Sequence, residues 1–270
     1  MKKRKVFYYS KDMQDDFGGV GVNHKPLKKG FVYIHKNVFY RFCSWFLFYL
    51  LAKPILTIYS RLFMGVKVEG KKNLKGLMKS KEGFLIYSNH VHLLDAFLLH
   101  IYVGFPKRTY IISHSDPINI PVVGKLVMLL GCLPLPTDLH DYRNFENAIK
   151  QRLDEGSCIA IYPEGTVWPY YANGTRPMKK TSFKYAASNN KPIVVVSETF
   201  KKRKVFKNAK PRMVIKISTP IYPEEQLSIN ENTENLYNKA MEIWNNTLLD
   251  ESNYSYYEYK LKEDNEVKEK

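Results

Sequence analysis

Short apolar runs alternate with segments of helical length from residue 66 onward, and this alternation restricts the fold more than any other feature of the sequence. The runs are continuous in Val, Ile and Leu, which is typical of strands that are buried on both faces. The predicted elements, in chain order, are FLIYS at 84–88, a helix over 91–103, TYIIS at 109–113, a helix over 121–130, CLPLP at 132–136, a helix over 140–154, SCIAIYP at 157–163, a helix over 179–189, PIVVVSETF at 192–200, RMVIKIST at 212–219 and a helix near 233–249. The pattern predicts an α/β fold with a mostly parallel central sheet that helices cover on both faces.

The charge of the chain narrows the classes of partner. The chain has 270 residues, of which 44% are hydrophobic, so it can form a packed core. Its 42 Lys and Arg exceed its 26 Asp and Glu and give a net charge of +16. This excess favours an anionic partner, such as nucleic acid, lipid headgroups, a phosphorylated substrate or an acidic carrier protein.

The cysteines are few and widely spaced. They are Cys43, Cys132 and Cys158, and no two of them form a C-x-x-C pair. We therefore expect neither a disulfide framework nor a metal site, and we expect a reduced compartment.

The segment FYRFCSWFLFYLLAKPILTIYSRLFMG, residues 39–65, is apolar and aromatic and carries basic residues at its boundaries. Its longest uncharged stretch, 42–52, would cover about 16 Å as a helix, which is about half of the ~30 Å hydrocarbon layer. Because Lys53 and Pro54 interrupt the run, we predict two short helices that lie within one leaflet and do not span the bilayer. A helical hairpin in the core of the main domain is the alternative.

The stretch SNHVHLLD, residues 88–95, follows the first predicted strand, and functional loops in parallel sheets gather beyond the carboxyl ends of strands. In a regular helix His92 lies three residues from Asp95 on the same face, whereas His90 lies five residues away, about 140° around the axis. If the Ser-Asn pair caps a helix that begins after it, His90 lies in the turn and can fold back onto Asp95. A structural His–Asp pair is a further alternative.

The stretch YPEGT, residues 162–166, lies at the end of another predicted strand. Pro163 ends the hydrogen bonding of the strand, and Glu164 places a carboxylate at the edge of the sheet. Gly165 lets the backbone approach a ligand closely, and Thr166 offers a hydroxyl and an N–H group. Backbone amides in such turns bind anions. Each stretch alone also fits an ordinary turn, so the inference depends on both.

Together and in this order, the two stretches resemble the glycerophospholipid acyltransferase family, typified by 1-acylglycerol-3-phosphate acyltransferase. The first motif of that family, N-H-x-x-x-x-D, is matched by Asn89, His90 and Asp95. Its third motif, F-P-E-G-T-R, is matched by residues 162–166, with Tyr162 in place of Phe.

The fourth motif of the family, an apolar strand of the type V-P-I-V-P-V, is approximated by KPIVVVS at 191–197. The resemblance extends over roughly residues 66–220. Together with the composition of the flanking segments, it predicts a basic arm with membrane-associating helices at 1–65, an acyltransferase domain at 66–250 and a polar carboxyl-terminal tail at 251–270. We expect the basic start of the chain and the charged tail to be loosely attached.

The resemblance implies direct transfer of a fatty acyl group from an acyl thioester to a hydroxyl of a lysophospholipid. The favoured acceptor is 1-acylglycerol-3-phosphate, which would give phosphatidic acid. His90 is then the general base, Asp95 orients it and stabilises its imidazolium, and no acyl-enzyme forms. His92 would only pack against the site. The residues that the resemblance assigns to substrate binding, through amides at the phosphate or oxyanion or through bracing of the loop, are Asn89, Glu164, Gly165 and Thr166.

Two positions depart from the pattern of the family. The third motif usually continues with Arg, where this chain has Val167, and the second usually ends in Arg, where GCLPLPTD has Pro136 or Asp138. Basic residues downstream either replace these arginines as phosphate ligands or form a solvated helix face: Arg176, Lys179 and Lys180. The resemblance therefore predicts acyl transfer more firmly than it predicts the acceptor.

Three other classes of protein fit the sequence less well. A dinuclear zinc hydrolase would share the HVH spacing, but the following Asp is out of register for that site. A serine hydrolase would need a G-x-S-x-G elbow, and the sequence contains none. A nucleic-acid-binding protein would fit the charge, but the two KKRK runs, at 2–5 and 201–204, lie far apart and no recognised binding motif occurs.

We therefore predict an O-acyltransferase at the cytoplasmic face of the cell membrane, peripheral or monotopic, whose charge and aromatics both suit a lipid surface. Its expected partners are the bilayer, a lysophospholipid and acyl-coenzyme A or acyl carrier protein as co-substrate, with no nucleic acid, metal or other cofactor. The alternatives are an acyltransferase with a different lysolipid or glycolipid acceptor, and a basic nucleic-acid- or membrane-surface-binding protein without catalysis.

Overall fold

A seven-stranded sheet forms the centre of the computed structural model, which describes residues 4–18, 26–205, 209–252 and 254–262. The strands of the chain are β1 (Val6–Tyr9), β2 (Lys67–Glu69), β3 (Leu85–Ser88), β4 (Thr109–Ser113), β5 (Cys132–Pro134), β6 (Cys158–Ile161), β7 (Ile193–Lys201), β8 (Arg212–Ile217) and β9 (Glu258–Leu261). The central sheet has the order β2-β8-β7-β3-β6-β4-β5, and all neighbouring strands are parallel except β7 and β8. The predicted mostly parallel sheet is confirmed.

Helices cover both faces of this sheet, because successive side chains of its inner strands point to opposite faces. On β3, Ile86 belongs to one hydrophobic cluster, and Leu85 and Tyr87 belong to the other. The first cluster is covered by the helices Val38–Met64 and Asp95–Gly104. The second is covered by the helices Leu139–Asp154, Lys184–Asn189 and Ile229–Glu251.

Shorter helical elements connect these layers. They are Lys71–Leu74, Lys75–Lys79, Asp116–Asn119, Val123–Leu129 and Lys180–Phe183. The helix expected near 233–249 begins four residues earlier, at Ile229. The helix expected over 91–103 begins four residues later, at Asp95. The Asp95 carboxylate accepts the N–H groups of Val91 and His92, at 2.8 and 2.7 Å, and so holds the residues before it in a turn.

The amino-terminal apolar segment forms one helix, Val38–Met64, and the prediction of two short helices is wrong. A π-helical stretch, Leu47–Ala52, lies directly before Pro54. Such a wider turn accommodates a proline, which donates no backbone hydrogen bond, so the helix continues. The helix has 27 residues and is long and apolar enough to cross a membrane. Length therefore does not exclude a span, contrary to the expectation from the uncharged stretch alone.

A strand near each end of the chain pairs with the other, which the sequence analysis did not anticipate. β1 and β9 form a parallel two-stranded sheet with Val6 opposite Glu258. Trp168 joins this pair to the main domain, because its ring stacks on Tyr259 at 5.1 Å and its Nε1 donates to the Asp15 carbonyl at 2.6 Å. The expectation of loosely attached ends is wrong for these strands, while the domain boundaries after residues 65 and 250 stay a prediction.

Candidate active site

The two polar loops meet because β3 and β6 are parallel neighbours in the sheet. The backbone N–H of His90 donates to Glu164 Oε2 at 2.8 Å, and the N–H of Trp168 donates to the His90 carbonyl at 3.1 Å. The His90 ring stacks on Tyr162, with 4.2 Å between ring centroids. The fold thus brings SNHVHLLD and YPEGT together at the carboxyl edge of the sheet, where α/β proteins hold their ligands.

His90 and Asp95 form a dyad within this edge. His90 Nδ1 lies 3.1 Å from Asp95 Oδ2, and the carboxylate of Asp95 is fully buried. The His90 side chain is 19% exposed, so a substrate can reach it. A carboxylate at Nδ1 favours the tautomer with Nε2 unprotonated, and an imidazole held in this way can accept a proton.

His92 has a different set of contacts, although helical spacing alone would have paired its ring with Asp95. Its Nδ1 accepts the Leu94 N–H at 3.1 Å, and its ring lies edge-on to Tyr170. Burial lowers the pKa of His92, although the charge of Asp95 acts in the opposite direction. His92 therefore packs within the loop, and the ring that meets Asp95 is that of His90.

Glu164 is held by Arg176, and both side chains are only 1% exposed. The guanidinium of Arg176 also donates to Thr166 Oγ1 at 2.7 Å, to the Thr166 carbonyl and to the His90 carbonyl at 3.4 Å. Its charge lies over the Trp168 ring, 4.8 Å from the centroid. These contacts are with protein atoms in the interior, so Arg176 braces the YPEGT loop in this structure. Its role as a phosphate ligand stays a prediction.

Asn89 connects the dyad loop to the neighbouring strand β7. Its amide donates to the Glu198 carbonyl at 3.0 Å, and its Oδ1 accepts the Glu198 N–H at 2.8 Å. Asn89 is 2% exposed. The side chain thus links the end of β3 to the backbone of β7, and its predicted contact with substrate stays a prediction.

The predicted anion-binding turn has the backbone that its glycine requires. Gly165 has a φ of +77°, and a Cβ at this position would lie 3.1 Å from the Lys179 ammonium. Lys179 therefore lies beside the turn, and His114 Nε2 lies 3.2 Å from the Gly165 carbonyl. Lys180 instead pairs with Glu234 on the helix Ile229–Glu251, with both side chains half exposed. Of the two lysines, Lys179 is the one beside Gly165.

The sequence analysis missed Glu198, a buried carboxyl on β7 that contacts Asp95. Burial raises its pKa well above the usual value, and the charges of Asp95 and Glu164 act in the same direction. The signal was present, since Glu198 is the one acidic residue in the apolar run PIVVVSETF. A carboxyl in a strand buried on both faces needs an explanation.

Among the residues that the structure describes, no three His, Cys, Asp or Glu side chains gather where they could hold a metal ion. The cysteines Cys43, Cys132 and Cys158 are unpaired thiols, and burial raises the pKa of Cys132 to about 11 and that of Cys158 to about 12. Neither buried thiol is thus activated as a nucleophile.

An α/β sheet with a His–Asp dyad and a P-E-G-T turn at its carboxyl edge defines a class of enzyme site, and the comparison with protein families identifies the class. The Acyltransferase family model matches residues 65–223, so the chain belongs to this family of acyl-transferring enzymes. No curated protein matches the chain. Among solved structures, it is similar to the 1-acyl-sn-glycerophosphate (LPA) acyltransferase PlsC from Thermotoga maritima, at 18% identity and a TM-score of 0.49, over 76% of this chain and 93% of that one.

Proposed function

We propose that this acyltransferase esterifies a hydroxyl of a lysophospholipid from an acyl thioester, with 1-acylglycerol-3-phosphate as the favoured acceptor and phosphatidic acid as the product. The observation that carries the proposal is the His90–Asp95 dyad, 3.1 Å apart, beside the YPEGT turn in a chain of this family. A base held by a buried carboxylate next to an amide-rich turn is what direct acyl transfer to an alcohol requires.

In the proposed reaction, His90 Nε2 takes the proton of the acceptor hydroxyl as its oxygen attacks the thioester carbonyl. The negative charge of Asp95 stabilises the imidazolium that forms. Collapse of the tetrahedral intermediate breaks the C–S bond, and the imidazolium returns the proton to the leaving thiolate. The products are the ester and the free thiol, and no bond to the enzyme forms.

The turn residues have separate parts in this proposal. Gly165 and Thr166, with Lys179 beside them, hold the phosphate of the acceptor or the developing oxyanion. Glu164 and Arg176 keep the turn in place, because their buried ion pair connects it to the His90 backbone.

The helix Val38–Met64 is proposed to bind the membrane surface along its length. One side packs on the domain: Ser44 Oγ donates to the Leu129 carbonyl at 2.6 Å, Phe48 stacks on His100 at 3.6 Å, and the Ser60 and Tyr102 hydroxyls lie 2.7 Å apart. The other side exposes large apolar residues, including Phe39, Phe42, Trp45, Leu50, Ile55, Ile58, Leu62 and Phe63. A helix held to the domain at three points and apolar on its outer side suits insertion into one leaflet.

The membrane face and the acyl donor are parts of the same proposal. We propose a monotopic enzyme on the cytoplasmic face of the membrane, where acyl-coenzyme A and acyl carrier protein are both available. Both donors are polyanionic, and the net charge of +16 attracts either of them as well as anionic headgroups.

The test is an acyl-transfer assay with the purified protein and a panel of lysolipids that differ in headgroup, each offered with a labelled acyl-coenzyme A and a labelled acyl carrier protein. Lysophosphatidic acid should give the most product, and other lysophospholipids less. Product from glycolipid acceptors alone would replace the proposed acceptor. Absence of product from every pair, with protein that is folded and bound to vesicles, would overturn the proposed function.

A further inference from the structure

Glu198 lies on β7 within a row of apolar side chains. Successive residues of a strand point to opposite faces, so Glu198 shares a face with Val194, Val196 and Phe200, which belong to the first hydrophobic cluster. It is 1% exposed, and the Asn89 side chain holds its backbone at two points, since it accepts the Glu198 N–H and donates to the Glu198 carbonyl. The carboxyl is thus fixed in the interior next to the dyad, without access to water.

Three carboxylate oxygens in this place have no donor among the described residues: Asp95 Oδ1, Glu198 Oε1 and Glu198 Oε2. The other oxygen of Asp95 accepts from three donors, which are His90 Nδ1 and the N–H groups of Val91 and His92. Buried acceptors without donors are costly, and two contacting carboxylates cannot both stay charged at low cost. One proton shared between Glu198 and Asp95 satisfies this contact.

The charges around Glu198 favour the same solution. Asp95 faces it from the helix Asp95–Gly104, and Glu164 and Tyr162 face it from the end of β6. Arg176 is the nearby cation, but its guanidinium is engaged by Glu164 and the turn. The imidazole of His90 contacts Asp95 at Oδ2, the oxygen other than the one proposed to meet Glu198. Among the residues that the structure describes, neither carboxyl oxygen of Glu198 has a donor, so a third negative charge would have no hydrogen-bonded cation. Burial, together with the charges of Asp95 and Glu164, raises the pKa of Glu198.

We propose that Glu198 is a positioning residue of the dyad, a neutral carboxylic acid that donates its proton in a hydrogen bond to Asp95 Oδ1. The bond fixes the plane of the Asp95 carboxylate, so that Oδ2 stays on His90 Nδ1. This role rests on the proposed general-base function of His90, whereas the protonation of Glu198 does not.

Two variants separate hydrogen bonding from packing. Glu198→Gln keeps the volume, the neutral charge and a donor, and its turnover should stay within about threefold of the wild type. Glu198→Leu keeps similar volume without a donor, and its kcat should fall about 10- to 100-fold with KM little changed, as expected for loss of a hydrogen bond to a charged group. Equal losses in both variants would show that the carboxyl only fills space.

The pH–rate profile tests the charge directly. If Glu198 is neutral, Glu198→Gln leaves the acidic limb of the kcat/KM profile where it is in the wild type. An ionised Glu198 would favour the imidazolium, so its removal would move that limb to lower pH and overturn the proposal.

Thermal unfolding as a function of pH decides the protonation without any assay of activity. The folded protein holds a proton that the unfolded chain releases above the ordinary glutamate pKa of 4.5. The stability that Glu198 contributes is thus present below that value and is lost as the pH rises towards the raised folded pKa. The Tm of Glu198→Gln should therefore exceed that of the wild type by a margin that widens from about pH 5 to about pH 8.

A margin that does not change with pH would refute a neutral Glu198 and leave the acyltransferase assignment intact. A widening margin in a protein without acyl-transfer activity would support a neutral Glu198 and contradict the proposed acyltransferase function. The Tm comparison needs only Glu198→Gln, so it still decides if Glu198→Leu fails to fold.

Discussion

The dyad site, formed by His90, Asp95 and Glu164, and the amino-terminal helix depart from the usual distribution of residues in opposite ways. In the dyad site, Asp95 is 0% and Glu164 is 1% exposed, although acidic side chains are rarely buried. On the helix Val38–Met64, Phe39 is 74% and Leu62 is 68% exposed, although large apolar side chains usually lie inside. Folding in water alone favours neither arrangement. The dyad site suits proton transfer, and the helix suits a lipid surface.

One structural element connects the two regions. The helix Asp95–Gly104 begins with the dyad carboxylate and carries, further along, His100 and Tyr102, which hold Phe48 and Ser60 of the amino-terminal helix. Ten residues of helix cover about 15 Å. The proposed membrane surface and the proposed base therefore lie within one short helix of each other, at a distance that a lysolipid can bridge while its acyl chain stays in the leaflet.

The largest effect is expected when the dyad site loses its proposed base. His90→Ala should lower acyl transfer ~10² to 10⁴-fold with little change in unfolding, because general-base catalysis typically contributes that much. His92→Ala is the matched control, since His92 lies in the same loop but contacts Leu94 and Tyr170, and it should do much less. Near-wild-type turnover in both variants would remove His90 from the mechanism.

The next largest effect is expected from the loss of a buried charge in the dyad site. Arg176→Met leaves Glu164 buried without its cation and should lower the free energy of unfolding by ~3–5 kcal/mol, measured by urea denaturation. Lys180→Met, which breaks the half-exposed pair with Glu234, is the control and should cost at most ~1 kcal/mol. Similar losses for both pairs would contradict the view that burial makes the Arg176 contact the structural one.

The exposed apolar side of the helix is the other half of the comparison. Phe39→Ser with Phe42→Ser should weaken cosedimentation with vesicles by about tenfold per side chain and leave unfolding unchanged, because each phenyl ring loses its transfer into lipid. Deletion of residues 1–65 is a poorer test, since it also removes Phe48 from the core.

Leu261→Ser on β9 is the control for that experiment, because Leu261 is 46% exposed and lies outside the helix. If Leu261→Ser reduces vesicle binding as much as the double variant, the membrane-facing surface is not the helix.

Local periodicity was enough to predict most of the central sheet, because continuous apolar runs such as those of β3, β6 and β7 mark strands buried on both faces. The resemblance to the family motif selected the pair His90 and Asp95, which helical spacing alone would not have done, and their catalytic roles stay a prediction. Contacts between distant residues were not predictable in the same way. Asn89 contacts Glu198 because β7 lies next to β3 in the sheet. The order of the strands in a sheet cannot be deduced from the residues of each strand.

Two further features departed from what the sequence suggested. Pro54 suggested a break, but the π-helical stretch before it lets one helix continue along the domain. Arg176 was expected to bind phosphate or to lie on a solvated helix face, yet its guanidinium contacts the carboxylate of Glu164 and the carbonyl of His90 in the interior. A local change of helix geometry determines the first outcome, and contacts with residues elsewhere in the chain determine the second.

The smallest expected effect comes from a single charge at the edge of the apolar helix. Arg41 is exposed beside Phe42, so Arg41→Gln should weaken binding to anionic vesicles by about fivefold at low salt, equivalent to ~1 kcal/mol for one basic residue near the surface. Lys184→Gln is the control. It removes the same charge, and Lys184 is exposed on a helix of the opposite layer. High salt should abolish the difference between the two variants. Equal weakening by both would mean that net charge, and not the position of the helix, governs attraction to the membrane.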